Sequence, residues 1–172
     1  MKKFFLLCFV LLCAVHKAGA QKPLKGKWVF YLVRHAEKDT GSNPVLSVKG
    51  MQRAGDLHRA LQAKKIQLIM ATQYRRTGLT ADSIRLYRKI DSIQYKADAD
   101  GSQFLKTLQA RAGNARAILV VGHSNTLPAI IRQLGVKGYS IKELPETEYN
   151  NLFIVTIRRG RAKLHAAKYG AE

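Results

Sequence analysis

The chain has little acid and, beyond its first twenty residues, no thiol. Its 172 residues hold 30 lysines and arginines against 11 aspartates and glutamates, and its two cysteines are Cys8 and Cys13. Without that first segment there is no disulfide and no thiol chemistry, so stability must come from the core. No apolar run reaches the roughly 20 residues that a membrane-spanning helix needs. No linker rich in proline, glycine or serine interrupts the chain, and there is no internal repeat or low-complexity run. HExxH-type metal spacing is missing, as is any recognisable nucleic-acid motif. These absences argue against metal chemistry, multidomain organisation and nucleic-acid partners.

The first segment has its own logic. A basic start (Lys2, Lys3) leads into an apolar run from Phe4 to Val15 and ends on Ala18-Gly19-Ala20. That pattern predicts a secretory signal peptide over 1–20, cut before Gln21. Lipid attachment at Cys8 or Cys13 ranks below it, because Leu7 and Leu12 stand where a lipoprotein site needs small residues. Cleavage leaves 152 residues, 21–172, enough for one domain with a sizeable core. The expectation is an exported protein, periplasmic or secreted. Lys2, Lys3 and Lys17 leave with the signal, so the formal net charge drops from +19 by three, to +16. Such a field draws in anions. The basic residues are dispersed, so no nucleic acid is expected. Electrostatic contact with an anionic envelope stays open.

The segment WVFYLVRHAEK, Trp28 to Lys38, carries the most information. Its continuous apolar run predicts a strand over 28–33 buried on both faces. The strand delivers Arg34 and His35 to its carboxyl end, where open α/β sheets bind ligands. A second apolar strand, 117–121, runs into Gly122-His123-Ser124-Asn125-Thr126 and then a helical pattern. If the two strands are parallel, His35 and His123 share one edge. Ser124, Asn125 or Thr126 can cap the new helix, whose first N–H groups favour a phosphate. A third strand, 67–71, passes through Thr72 into Arg75 and Arg76. Thr72 is expected to cap that helix. Adjacent helical residues face different ways, so one of the two arginines should enter the site. His58 reads as a solvated helix face and His165 as structural.

The remaining elements are helices over 48–63, 75–89, 102–112 and 127–134, a weak strand over 93–96, and two terminal strands, 150–157 and 162–168, joined at Arg159-Gly160-Arg161. The order predicts an α/β fold of three layers, α/β/α, with a mostly parallel sheet and an antiparallel edge.

Taken in order, Leu32-Val33-Arg34-His35-Ala36-Glu37, Arg76-Thr77-x-x-Thr80-Ala81 and Val121-Gly122-His123-Ser124 resemble the three signature segments of the histidine phosphatase superfamily, with its phosphoglycerate mutase-like fold. Leu46-Ser47-x-x-Gly50-x-x-Arg53-Ala54 is similar to the start of that family's first helix. The match runs from about Trp28 to Ile157. It implies His35 as nucleophile, with Arg34, Arg76 and His123 clamping the phosphoryl oxygens and no cofactor or metal. Ser124 and Asn125 join the expected phosphate seat. The substrate would be a small phosphorylated compound. The large insertions of the bigger relatives are missing, which favours a phosphatase over a mutase, because a mutase must keep water from its intermediate.

The family usually also supplies a carboxylate to protonate the leaving oxygen, and here the pattern departs. Ser124 stands where one branch has Asp. Glu37 is the carboxylate nearest the nucleophile in sequence, and Asp98 and Asp100 are the other candidates; Glu37 could equally be a surface carboxylate paired with a basic neighbour. Two classes follow: an exported phosphomonoester phosphatase (phosphohistidine or pyrophosphate being lesser alternatives), or a non-catalytic module binding phosphate or anionic lipid on the same fold.

Overall fold

The computed structural model describes residues 24–171; the expected signal peptide, its cleavage point and both cysteines lie outside them. Among these residues, four strand–helix pairs are followed by two consecutive strands: β1 (Trp28–Arg34), α1 (Val48–Leu61), β2 (Leu68–Thr72), α2 (Arg75–Arg88), β3 (Ser92–Tyr95), α3 (Ser102–Arg111), β4 (Ala117–Gly122), α4 (Leu127–Gln133), β5 (Asn151–Arg158) and β6 (Arg161–Lys168). They form one sheet in the order β3-β2-β4-β1-β5-β6. The first four of these run parallel, while β5 and β6 add an antiparallel edge. Among the described residues no helix is long and apolar enough to cross a membrane.

The apolar strands sit where they must. β1 and β4 occupy the centre, covered on both faces, so neither can alternate polar with apolar residues. One face packs Phe30, Leu32, Ile118 and Val120 against Phe104 and Leu108 of α3 and Ile130 and Ile131 of α4. The other packs Tyr31, Val33, Leu119 and Val121 against Leu57 and Leu61 of α1 and Ala81 and Ile84 of α2. The three expected layers result. β6 lies at the edge with an exposed, polar character. His165 is exposed on it, so its reading as structural is not supported. Arg159 and Gly160 both have positive φ, 51° and 73°, in the tight turn that joins β5 to β6.

Strand pairing also places the site. Arg34 pairs with Gly122, and the His35 N–H donates to Gly122 O at 3.0 Å. The ends of β1 and β4 are therefore level, and the two histidines emerge together. Helices after β1 and β2 cover one face, while those after β3 and β4 cover the other. The crevice between them opens at these carboxyl ends.

The Leu46–Ala54 motif now has a physical account. The Ser47 hydroxyl accepts from Gly50 N at 3.2 Å and caps α1. A Cβ on Gly50 would lie 1.9 Å from Glu37 O, so only glycine lets α1 approach the turn after His35. Leu46 and Ala54 close a small apolar cluster with Ala36. The motif braces the segment that follows the expected nucleophile.

Candidate active site

A cavity of about 420 Å³ opens at the ends of β1, β2 and β4. Arg34, His35, Arg76, His123, Ser124 and Asn125 all line it, together with Glu146, Tyr74 and Asp98. Arg75 is exposed on α2 and outside the lining, its N–H turned to Asn43 Oδ1 at 3.0 Å. Thr80 fixes the register of this helix. Its hydroxyl donates to Arg76 O at 2.7 Å and accepts from Ala36 N at 2.9 Å, tying α2 to the residue after His35.

The two imidazoles meet edge to face, with centroids 5.2 Å apart. His35 is 3% exposed. Its Nδ1 lies 2.8 Å from Ala36 O, and because a carbonyl can only accept, Nδ1 carries the proton. Nε2 then holds a lone pair. Burial pushes the His35 pKa down to about 4, and the nearby Arg76, Arg34 and Lys38 charges add to this while the Ala36 bond opposes it. The ring is neutral and nucleophilic at pH 7.

His123 is held differently. Its Nε2 is 3.0 Å from Thr72 Oγ1, which is 3.0 Å from Thr77 Oγ1. Thr77 donates to backbone carbonyls, 2.7 Å to Tyr74 O and 3.0 Å to Thr72 O. The arrangement that satisfies every contact runs one way: His123 Nε2–H to Thr72, Thr72 to Thr77, Thr77 to carbonyl. Thr72 is thus the last residue of β2 and part of a relay, not the helix cap expected; Tyr74 occupies the cap position without a side-chain bond. Burial, then the charges of its neighbours, lowers the His123 pKa to about 3.

The cations are unevenly used. Arg76 stacks over Tyr74, 4.5 Å from the ring centre, and its Nε is buried without a partner among the described residues. Burial lowers its pKa. Arg34 Nε is likewise buried and without a partner among them. Buried guanidinium nitrogens left unpaired next to two neutral imidazoles fit an oxyanion. The outer nitrogens of Arg34 face another way. Nη1 donates to Pro145 O (3.1 Å) and Glu146 O (2.8 Å), Nη2 pairs with the Glu146 carboxylate, and the guanidinium stacks 4.2 Å over Tyr149. Ser124 Oγ donates to the same carboxylate.

At the start of α4, Thr126 holds the cap position, one of the three residues expected there, without a side-chain bond into the helix. Thr126 and Leu127 turn their N–H groups to His123 O, at 3.2 and 3.1 Å, and the Thr126 hydroxyl accepts from His123 N at 3.1 Å. The Thr126 and Leu127 N–H groups are thus engaged in the His123 turn, while Ser124 and Asn125 line the cavity.

The expected proton donors fare differently. Glu37 lies outside the cavity lining. Its carboxylate accepts from Arg53 Nε at 2.8 Å and Nη2 at 2.7 Å, inside the brace around α1. Burial pushes its pKa up, but the bonds and charge of Arg53 outweigh this and hold it below the ordinary value. Its reading as the catalytic acid is therefore corrected: it is the half-buried partner of the buried Arg53. Asp100 is also outside the lining, bound to Ser102 N at 2.9 Å. Asp98 lines the cavity, but its Oδ2 accepts from Ser102 Oγ (2.8 Å) and Gln103 N (2.9 Å) at the start of α3. Sequence reasoning missed Glu146, Tyr149 and Tyr74. The loop holding the first two has no periodicity, and proximity to Arg34 across 112 positions leaves no local signal.

Sheet order, level strand ends and paired histidines define the class: the chain has the fold of the phosphoglycerate mutase-like histidine phosphatases. Solved structures align over most of it. A SixA protein from Nakamurella multipartitia, provisionally named a phosphohistidine phosphatase, is 17% identical with a TM-score of 0.64, over 87% of this chain and 100% of that one. The alpha-ribazole phosphatase from Shigella flexneri is 17% identical at a TM-score of 0.59, over 84% and 99%. A mycobacterial glucosyl-3-phosphoglycerate phosphatase is 12% identical at 0.58, over 84% and 100%. No family model matches the chain, and no curated protein does.

Proposed function

We propose that the chain is an exported phosphatase that hydrolyses a phosphomonoester through a phosphohistidine on His35, without a metal. The observation that carries this reading is the bond from His35 Nδ1 to Ala36 O. It leaves a neutral, buried ring with its Nε2 lone pair available beside Arg76 and His123. A phosphoryl group seated there meets the lone pair in line, with charge spread over three oxygens. Arg76 and the Arg34 Nε supply donors. His123 Nδ1, bare in the neutral ring, takes up a proton and becomes a third. Water then attacks the phosphohistidine in a second step. The two guanidinium groups are held in place before the substrate arrives, Arg76 over Tyr74 and Arg34 by the Pro145 and Glu146 carbonyls.

Export rests on the character of Met1–Ala20, and N-terminal sequencing of protein recovered from the native host should begin at Gln21. The small phosphorylated substrate and contact of the +16 surface with an anionic envelope belong to the same proposal. Rapid quenching with a nitrophenyl phosphate should trap acid-labile phosphate on His35 and not on His123. Trapping on His123, or turnover by His35→Ala, would overturn the mechanism. The alternative, a non-catalytic phosphate- or lipid-binding module, draws support from one observation: Glu146 occupies the outer nitrogens of Arg34. It requires phosphate to bind with no turnover on any ester.

A further inference from the structure

We propose that Glu146 is the carboxyl group that gives a proton to the leaving oxygen and takes one from the attacking water. The role rests on the phosphatase reading above. Glu146 is the cavity carboxylate in contact with both histidine-bearing strand ends, through Arg34 at the end of β1 and through Ser124 after β4. Its backbone is fixed independently of its side chain. Leu144 is 4% exposed, packs in the core, and donates from its N–H to Ser124 O at 3.0 Å. Arg34 Nη1 holds the carbonyls of Pro145 and Glu146 itself. The carboxylate therefore stays over the cavity even if its bond to Arg34 Nη2 breaks. Its side chain is 69% exposed, which puts it at the mouth. An in-line displacement on His35 at the floor sends the leaving group toward that mouth.

The proton bookkeeping closes. A phosphomonoester monoanion competes with Glu146 for Arg34, and its proton passes to the displaced carboxylate. The His35 Nε2–P bond forms, the P–O bond to the alcohol breaks, and the Glu146 proton goes to the departing oxygen. Water then forms a new O–P bond as the N–P bond breaks, and its proton returns to Glu146. The sum is ester plus water giving alcohol plus phosphate. Glu37 and Asp98 are tied to Arg53 and to the start of α3. Glu143 lines the same cavity and serves as the comparison.

The test is a leaving-group series on the full protein, with nitrophenyl phosphate at one end and glycerol phosphate at the other. Nitrophenolate leaves without a proton; an alkoxide does not. Glu146→Gln should lower kcat for glycerol phosphate by about 10²–10⁴-fold, the usual range for general acid catalysis. The loss with nitrophenyl phosphate should stay within about tenfold. Glu143→Gln should show no such split. Equal loss on both esters would mean that Glu146 only positions Arg34, and would overturn the proposal while leaving the phosphatase reading intact. A split in Glu143→Gln and not in Glu146→Gln would also overturn it. Wild-type protein that turns over neither ester would overturn the phosphatase reading itself, and this role with it.

Discussion

The floor and the mouth of the cavity are built on different principles. The floor is strand ends: His35 and His123, level with each other through the pairing of Arg34 with Gly122. It is buried, flanked by the Arg34 and Arg76 guanidinium groups, and made from short motifs. The mouth is a loop between α4 and β5, with Glu146 exposed and Tyr149 under Arg34. It has no repeat and carries the site's mobile proton chemistry. Floors of this kind determine what bond is broken. Mouths determine which leaving group is accepted. Arg34 belongs to both, ending the β1 strand and holding the loop with its outer nitrogens.

Breaking the floor should cost most. His35→Ala should remove turnover by on the order of 10⁴-fold or more, as for other covalent nucleophiles, while thermal unfolding is little changed. Retained turnover would move the nucleophile elsewhere. Arg76→Ala should lower kcat by about 10²–10³-fold, the usual cost of one charge-stabilising donor. Arg75→Ala, one residue away but outside the cavity, should stay within a few-fold. The reverse ranking would put the helix in another register.

The floor also predicts a pH profile. His35 attacks only when Nε2 is unprotonated, and its pKa is held near 4. Activity should be full above that value and fall on the acid side, with a midpoint near 4 rather than 6.5. The same shift bears on stability. Between about pH 4 and 6.5 the unfolded histidine binds a proton that the folded one does not, so stability is lost as pH falls through this window. His123, held near 3, acts in the same sense. A pH–rate curve breaking at 6.5 would contradict the burial account of His35.

Smaller effects should separate support from chemistry. Thr72→Val removes the acceptor of His123 Nε2–H. A hydrogen bond to a group that becomes charged is worth about 1.5–3 kcal/mol, roughly 10–100-fold in rate. The loss should be equal across leaving groups, unlike that of Glu146→Gln. Glu37→Ala should act mainly on stability, lowering it by about 1–3 kcal/mol through the stranded Arg53. A leaving-group split at Glu37 would restore it as the acid.

Much of this was legible beforehand, for reasons that particular residues show. β1 and β4 are continuous apolar runs because both faces are covered, and the expected bounds fall within a residue or two of Trp28–Arg34 and Ala117–Gly122. Even the weak strand near 93–96 is present, as Ser92–Tyr95 at the opposite edge. Arg34, His35, Arg76 and His123 converge because each sits at a strand-to-helix junction. A threonine before a helix looks like a cap whether or not its hydroxyl turns to a histidine, as that of Thr72 does. Glu146 leaves no local signal because its loop is held by one buried leucine, Leu144, and by Arg34 from far away in the chain. A single apolar residue sets no period.

The bond from the His35 N–H to Gly122 O has a consequence for exchange with solvent deuterium. That amide belongs to the central strand pair, whose separation requires opening both hydrophobic layers. Its exchange should follow global unfolding, as for the slowest protons of a core. The Leu144 amide, on Ser124 O, is released when the loop alone lifts. The two protons would then report two clocks within one cavity, with the nucleophile's mount failing last and the proton carrier's mount failing first.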